Sequence, residues 1–380
     1  MNAHVLISRE PVLNRGRSIT ATRLTLLGAG EPVPCAAIAA ELNRLADAWP
    51  TGGTVFLGFD GIVPEPGLLD WQVPQNAMIE IPAATLQNPA TLAMMEGLQR
   101  AGVPLCLDGY RPGLPLPEGI DFRFILADAA TDIAGAPGLP LARGVQDNAQ
   151  FDLCLGKGFG GAAGWFFLKG VTPAKKLNPG QAQIIRLLNL VRGNADIREI
   201  ESALKLDVAL SAKLLRYINS AGFGLTVKIQ SFRHAVTMLG YEKLNKWLSL
   251  LLVTSSKDAA APALMQAAIA RGRFMELTAQ GRADKAELDN YFITGAFSLL
   301  DVLLGVLMET ALADMHLPET ISAALVSGEG PYASSLALAL AGERADHSRY
   351  AAQAAELGVD AAAANRAQLE ALSFADNLQA

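Results

Sequence analysis

The sequence predicts two domains of different fold class, an α/β domain over residues 1–170 and an all-α domain over residues 181–380. In the first region short β-like runs alternate with helical stretches, and this alternation indicates a parallel sheet. After the segment VTPAKKLNPG, apolar residues recur at three- and four-residue spacing without any long β-like run. We therefore interpret residues 171–180 as the linker between the two domains.

The first region contains seven predicted strands and two predicted helices. The helices span residues 31–49 and 88–101, where apolar residues recur at helical spacing. Seven or so β/α units suit a barrel, but a full eight-unit barrel typically takes about 250 residues. We therefore expect a reduced TIM-like (β/α) barrel. The predicted strands are residues 4–8, 19–27, 54–59, 77–81, 103–107, 122–126 and 165–168.

The second region has the pattern of a compact helical domain. Apolar residues at Ile184, Leu187, Leu188 and Val191 form one stripe, and Gly193 follows it as a stop signal. Ser231 is a candidate N-cap of a later helix. More helices are expected in the Ala-rich C-terminal part and over residues 241–254, 262–279 and 291–307.

The composition suits a folded protein of a reducing compartment. Hydrophobic residues make up 51% of the chain and charged residues 18%, which argues against disorder. The three cysteines form no CxxC pair, so neither a zinc site nor a disulfide framework is indicated. The N-terminus lacks a signal peptide, and no charge-free apolar run reaches the roughly 18 residues of a membrane span. We expect a cytoplasmic protein without membrane contact.

The charge is unevenly distributed along the chain. The net charge is −6, yet residues 171–260 hold 13 basic and 6 acidic residues, a local net charge of +7. These basic residues are spread over several helices without interleaved aromatic residues, so a solvated face is favoured over a nucleic-acid surface. The same charge could instead form a docking face for an acidic protein or for the other half of the chain.

The helical half resembles the HDOD domain, a relative of the HD phosphohydrolases that lacks their metal site. The resemblance runs through the segment PGQAQIIRLLNLVRGNADIREIESALKLD, then LSAKLLRYINSAGFG and then SFRHAVTMLGYEKLNKW. Two later segments, FITGAFSLLDVLLG and LPETISAALVSGEGP, are similar to the C-terminal part of proteins that join an EAL domain to an HDOD domain. Together these segments cover about 170 residues in order.

The N-terminal half resembles the EAL domain, a barrel that hydrolyses cyclic di-GMP in its active members. The opening segment ISREPVLNRGRSITATRLTLLG is similar to the family's first strand, turn and second strand. AGVPLCLDGY is similar to the strand that normally ends in a pair of aspartates, and LARGVQDNAQFDLCLGKGFGGAAGWFF to the closing segment. The glycine-dense part of this last segment lacks the GK[ST] ending of a phosphate cradle and is interpreted as a close-packed strand entry.

The resemblance implies that most metal ligands of the early EAL strands are lost. The glutamate of the family's name falls at Arg23, so a ligand anion has become a cation. The asparagine of the next strand falls at Gly58. The glutamate that closes the fourth-strand motif falls near Ala83, while Glu80 matches an earlier position of that motif.

The later EAL positions are only partly kept. Of the aspartate pair, Asp108 remains and Gly109 replaces its neighbour. The lysine of the following strand falls at Leu126, two residues before Asp128, which is kept. The remaining family positions are two glutamates and a glutamine, and they fall at Arg143, Gln146 and Ala163.

Two surviving carboxylates with arginines beside them cannot hold two divalent ions, because a cation near the site repels Mg²⁺. No metal, cofactor or catalytic residue is therefore expected, and Asp108 is interpreted as a remnant that caps the turn before Tyr110. Candidate phosphate contacts by residue type are Arg23, Arg111 and Arg143. The arginine that follows the signature glutamate in the family is Leu27 here, which counts against nucleotide binding.

We therefore predict a bacterial signalling protein without chemistry of its own, which acts by protein–protein contact in cyclic di-GMP or stress signalling. Three alternatives remain open at this point. The barrel could bind cyclic di-GMP and act as a sensor, it could retain phosphodiesterase activity, or the basic helical region could bind nucleic acid, which its diffuse charge does not favour.

Overall fold

The computed structural model describes residues 5–30, 32–169, 179–205 and 261–379, together with isolated positions between 229 and 249. The chain divides into two compact units. The first unit comprises Met1–Gly170 and Leu340–Leu369, and the second comprises Val171–Ala339 and Glu370–Ala380.

Eight strands of the first unit form a closed barrel in sequence order. β1 pairs antiparallel with both β2 and β8, and every other neighbouring pair is parallel. The predicted α/β barrel is therefore confirmed. The strands are β1 (Leu6–Asn14), β2 (Ile19–Leu27), β3 (Thr54–Asp60), β4 (Ala77–Pro82), β5 (Leu105–Asp108), β6 (Phe124–Asp128), β7 (Leu139–Arg143) and β8 (Gly161–Ala163).

The last two strands differ from the prediction. β7 was not among the predicted strands, because Leu139–Arg143 is only five residues long and contains a proline. The strand predicted at residues 165–168 is wrong, since Phe166–Leu168 forms a 3₁₀ turn and the barrel closes earlier, at Gly161–Ala163. A Cβ atom at Gly161 would lie 2.2 Å from the Leu13 carbonyl oxygen, so only glycine allows this close strand contact.

The barrel interior is packed by side chains that the eight strands contribute in turn, an arrangement that fills the barrel as a core. Phe56 and Phe124 meet edge to face there, with their ring centroids 5.5 Å apart. We call this set the interior layer; its buried members are Val12, Ala21, Phe56, Met78, Cys106, Leu126, Leu141 and Ala163.

The outer wall of the barrel is reduced, as predicted. Three α-helices follow β2, β4 and β7: α1 (Cys35–Arg44), α2 (Pro89–Arg100) and α3 (Asn148–Gly156). Asn88 caps α2 and Asp147 caps α3 through their side-chain oxygens. The connections β3–β4, β5–β6 and β6–β7, which the structure describes in full, contain no α-helix.

The predicted domain division needs one correction. Leu340–Leu369 belongs to the unit of the barrel, whereas the sequence places all of residues 181–380 in one helical domain. The reason is a set of buried contacts between β1 and this segment, which no local sequence pattern reveals. Residues 171–178 of the predicted linker lie outside the described residues, and Pro179 already begins a helix.

The remaining described helices confirm a helical second region. The helix predicted over residues 291–307 is instead two helices, Lys285–Phe297 and Leu300–Leu304. No helix in the described part of the chain is long and apolar enough to cross a membrane. In chain order the helices are α4 (Pro179–Arg192), α5 (Ile197–Lys205), α6 (Ala261–Ala279), α7 (Lys285–Phe297), α8 (Leu300–Leu304), α9 (Met308–Ala313), α10 (Glu319–Val326), α11 (Ala333–Ala341), α12 (His347–Glu356) and α13 (Ala361–Gln379).

Helices α6 and α7 approach each other closely through two glycines. A Cβ atom at Gly272 would lie 2.6 Å from the Phe292 carbonyl oxygen, and one at Gly295 would lie 2.7 Å from the Arg271 carbonyl oxygen. Because these neighbours are backbone atoms, the helices would have to separate to admit a side chain. The crossing therefore depends on glycine at both positions.

We predict that Gly272→Ala destabilises the second unit by about 1–3 kcal/mol, the usual effect of overpacking a close contact. Urea unfolding followed by circular dichroism measures the change. The control is Gly156→Ala on α3, where a Cβ atom would meet no atom within 4 Å. Equal unfolding curves for the two variants would show that the α6–α7 contact does not require glycine.

Candidate functional site

Several predicted site residues gather at the carboxyl end of the parallel strands. Each lies two residues after a member of the interior layer, and because side chains alternate along a strand, each faces the inside of the barrel. Active sites of such barrels lie at this end. The residues at these positions are Arg23 on β2, Gly58 on β3, Glu80 on β4, Asp108 on β5, Asp128 on β6 and Arg143 on β7.

Arg23 and Glu80 form a bidentate ion pair across the barrel. Arg23 Nε donates to Glu80 Oε1 at 2.8 Å, and Arg23 Nη2 donates to Glu80 Oε2 at 2.8 Å. The Glu80 side chain is only 1% exposed, so Arg23 takes the place of the water that a carboxylate normally binds. This pair is the most buried part of the site.

The ion pair extends into a chain of charges. Arg23 also reaches Glu10 Oε2 through Nη1 and Asp108 Oδ2 through Nη2, each at 3.3 Å. Arg143 Nη1 donates to Asp108 Oδ1, and Arg143 Nε donates to Asp128 Oδ1 at 3.1 Å. We call this set the mouth network; it consists of Glu10, Arg23, Glu80, Asp108, Asp128 and Arg143. Its four carboxylates outnumber its two guanidinium groups.

Two glycines make room for the mouth network. A Cβ atom at Gly58 would lie 2.3 Å from Glu80 Oε2 and 3.4 Å from Arg23 Nη2, so any side chain there would displace the ion pair. Gly109 has a φ of +87°, which favours glycine, and its N–H donates to the Leu126 carbonyl at 2.9 Å. Of these two positions, which both lose a ligand in the resemblance, Gly58 leaves the space that the ion pair occupies and Gly109 allows the backbone turn after Asp108.

Four other predicted positions do not join the network. Leu126 and Ala163 are buried members of the interior layer. Gln146 lies before α3, where its side chain donates to the Gly144 carbonyl at 3.0 Å. Arg111 is exposed in the loop after β5, so only two of the three candidate phosphate contacts lie in the mouth network.

Sequence reasoning missed Glu10. It lies on β1 directly opposite Arg23 in the antiparallel register. An arginine and a glutamate facing each other across a hairpin could have signalled the pair, but only once the register was known. The mouth therefore has more carboxylates than the two that the sequence predicts, and arginine side chains contact all of them.

The buried position of the pair shifts both pKa values. Burial raises the pKa of Glu80 above its usual range, and the nearby Arg23 charge opposes this shift. Burial by itself lowers the pKa of Arg23, but the charge of Glu80, the hydrogen bonds to Glu80 and the charges of Asp108 and Glu10 together raise this pKa well above its usual value. Burial also raises the pKa of the Cys106 thiol well above its usual value, so this cysteine is not a thiolate nucleophile.

The donor set does not fit a pair of divalent ions. Both oxygens of Glu80 and both oxygens of Asp108 already accept hydrogen bonds from guanidinium groups. Within the part of the chain that the structure describes, no group of three or more His, Cys, Asp or Glu side chains is arranged to hold a metal ion. A divalent cation would have to displace a positively charged arginine before it could bind.

Comparison with known proteins finds one family model that matches part of the helical region. Residues 179–314 match the model described as HDOD domain. Over 240 residues the chain is 29% identical to the cyclic di-GMP phosphodiesterase CdgJ of Vibrio cholerae, a match that covers 63% of this chain and 56% of CdgJ. The uncharacterized protein YuxH of Bacillus subtilis is 25% identical over 411 aligned positions, which cover 98% of each chain.

One structural neighbour is the FimX EAL domain of Pseudomonas aeruginosa bound to cyclic di-GMP. It superposes with a TM-score of 0.33 at 16% identity and covers 44% of this chain and 90% of that chain. The closed eight-stranded barrel and the HDOD match at residues 179–314 agree with the predicted order, an α/β barrel followed by a helical region that matches the HDOD model.

We predict that Arg23→Met costs about 3–5 kcal/mol of stability at pH 7, because Glu80 stays buried without its partner. Without the charge of Arg23, the pKa of Glu80 in the folded state lies even further above its value in the unfolded state. A carboxyl group whose pKa is higher in the folded state than in the unfolded state destabilises the fold as the pH rises. The loss in free energy of unfolding relative to wild type should therefore be smaller at pH 5 than at pH 7. Urea unfolding at several pH values measures the deficit.

The matched control for this change is the double variant Arg23→Met/Glu80→Met, which removes both charges. Replacing both partners of a buried pair by apolar residues is often close to neutral. The double variant should recover much of the lost stability at pH 7 and lose the pH dependence. A single variant with a deficit that stays constant from pH 7 to pH 5 would contradict the burial of an unpaired Glu80.

We predict that Gly58→Ala is destabilising because its Cβ atom takes the space of Glu80 Oε2. The expected cost is about 1–3 kcal/mol. A double-mutant cycle with Glu80→Ala measures the coupling, and the Gly58→Ala penalty should fall in the Glu80→Ala background because the clashing atom is gone. The same penalty in both backgrounds would mean that the two side chains do not compete for this space.

Proposed function

We propose that this protein is a non-catalytic signal-transduction protein that acts through protein contacts, as a scaffold or output module in signalling related to cyclic di-GMP. The observation that carries the proposal is the mouth network, in which two arginines bind the carboxylates of a barrel of the EAL type. The network accounts for a preserved barrel whose mouth lacks the features needed for hydrolysis.

Phosphodiester hydrolysis with two metals needs several hard oxygen ligands and a group that orients the attacking water. In this mouth Arg23 holds both oxygens of Glu80, and Asp108 lies between Arg23 and Arg143. To bind there, a metal ion would have to displace one guanidinium group, and the positive charge of the other one would repel it. The loss of activity that we propose thus follows both from missing ligands and from arginines that occupy the remaining ones.

Binding of cyclic di-GMP without hydrolysis is a second candidate. The observation that favours it is the partial exposure of Arg143, whose side chain is 34% exposed. Arginine binds phosphate well when its donors are available. Here Nη1 and Nε of Arg143 donate to Asp108 and Asp128, and the mouth network is negative overall. This electrostatic balance disfavours an anionic nucleotide, so we rank the scaffold above the sensor.

The link to cyclic di-GMP signalling rests on the relatives. The chain shares 29% identity with a cyclic di-GMP phosphodiesterase, although this match spans only 56% of that protein. The HDOD match at residues 179–314 indicates a second region in addition to the barrel. We propose that such a pair of regions, with the mouth closed by ion pairs, serves contact with other proteins.

We predict that the purified full chain does not convert cyclic di-GMP in the presence of Mg²⁺ or Mn²⁺, because the ligand oxygens are bound by arginines. Product formation measured by chromatography is expected to equal that of the Asp108→Asn variant, which serves as the background. Calorimetry with cyclic di-GMP is expected to give no binding heat for the wild-type chain.

Two results would replace the proposal. Metal-dependent turnover that disappears in Asp108→Asn would make the protein a phosphodiesterase. Binding without turnover that weakens in Arg143→Ala or Arg23→Ala would make it a nucleotide sensor.

A further inference from the structure

None of the strands that the structure describes pairs with the first half of β1 on one of its two edges. β1 is nine residues long and pairs with β2 from Leu6 to Leu13. On its other edge β8 is only three residues long and pairs with residues 12–14 of β1. We call the uncovered edge, residues 5–11, the seam. Its backbone groups face the gap that a longer β8 would fill.

Leu340–Leu369, which we call the closing segment, supplies the missing hydrogen bonds. The Arg9 N–H donates to the Gly342 carbonyl at 2.9 Å. The side-chain amide of Asn365 makes the hydrogen bonds that the backbone of a neighbouring strand would make. Its Oδ1 accepts from the Ile7 N–H at 2.8 Å, and its Nδ2 donates to the Val5 carbonyl at 2.8 Å. Gly164, just after β8, donates to Pro11, so the bonds continue along alternate residues of the edge.

A buried ion pair fixes the closing segment beside these bonds. Arg9 Nη2 contacts Glu343 Oε1 at 2.8 Å, and the two side chains are only 6% and 5% exposed. Trp165 Nε1 donates to the Glu343 carbonyl at 3.0 Å, and the Arg9 guanidinium lies 5.3 Å from the centre of a Trp165 ring. Charges this deeply buried require their partners, so Glu343 has a position that is set by β1.

The contact with the barrel continues on its outside. Arg366 contacts Asp47 at 3.0 Å and the Arg44 carbonyl at 3.0 Å. Within the closing segment, Gln368 Nε2 donates to the Gly342 carbonyl at 3.0 Å. That carbonyl therefore accepts from both Arg9 and Gln368, which joins the ends of the segment at the seam.

We infer that the closing segment is a releasable strap that completes the barrel wall next to its mouth. One observation supports release as a separate step. The segment contacts the backbone of the seam through one carbonyl and one side-chain amide instead of a continuous strand, so release breaks three hydrogen bonds of the seam backbone together with the Arg9–Glu343 ion pair. Release would leave residues 5–9 as an open edge in the half of β1 that also carries Glu10 of the mouth network, while β1 would stay paired with β2.

Hydrogen exchange of the full chain, measured by mass spectrometry, tests the strap. Peptides that cover residues 5–10 and 342–368 should exchange together, and at least about tenfold faster than peptides that cover β3 and β4, because a local opening needs less free energy than unfolding. Exchange of residues 5–10 at the rate of β3 and β4 would mean that the segment is a fixed wall, and the inference would fail.

A variant pair sharpens the test. Asn365→Leu keeps the side-chain size but removes both seam hydrogen bonds, so exchange of residues 5–10 should rise by a further factor of about ten. Arg366→Ala, at the next residue along α13, removes the exposed ion pair with Asp47 and the hydrogen bond to the Arg44 carbonyl but leaves the seam hydrogen bonds in place, so it should alter that exchange less than about twofold. Equal effects of the two variants would contradict the role of Asn365. If Asn365→Leu does not fold, the wild-type comparison decides alone.

Discussion

The ion pair between Arg23 and Glu80 is the constraint on which the site depends. A carboxylate that is 1% exposed inside a barrel is stable only with a partner that satisfies both of its oxygens, and Arg23 does this with two donors. The pair explains why β3 has glycine at position 58, since a side chain there would collide with Glu80. It also places a positive charge where a metal-dependent enzyme would need its ligands free.

The barrel also shows that a domain need not be continuous in sequence. Its last strand is too short to cover β1, and the hydrogen bonds that are missing come from residues more than 330 positions away. A fragment cut at the predicted linker would lose these bonds, and Arg9 would lose its ion-pair partner Glu343. Fragments that separate residues 1–170 from the rest are therefore poor tools for locating a partner-binding region, and full-length variants are better ones.

Local sequence patterns predicted much of the fold, but they did not predict features that depend on contacts between residues far apart in the sequence. Alternating apolar runs indicated β2 to β6, and the apolar spacing indicated α2 and α6. The sequence did not predict β8 because its residues Gly-Ala-Ala have no preference for strand structure. Glycine is needed at position 161 because the strand lies in close contact with Leu13. Glu10 was not predicted as a site residue because only the register of the β1–β2 hairpin shows that it lies opposite Arg23. The role of Asn365 could not be predicted, since it depends on which edge β8 leaves open.

The most direct test of the account is a crystal of the full chain soaked in Mn²⁺ and measured for anomalous scattering. If the arginines of the mouth network occupy the ligand oxygens, the map should show no manganese peak beside Glu80 or Asp108, and Arg23 should remain within hydrogen-bond distance of Glu80. Two manganese peaks near Asp108 and Asp128, with Arg23 and Arg143 turned away, would contradict the account.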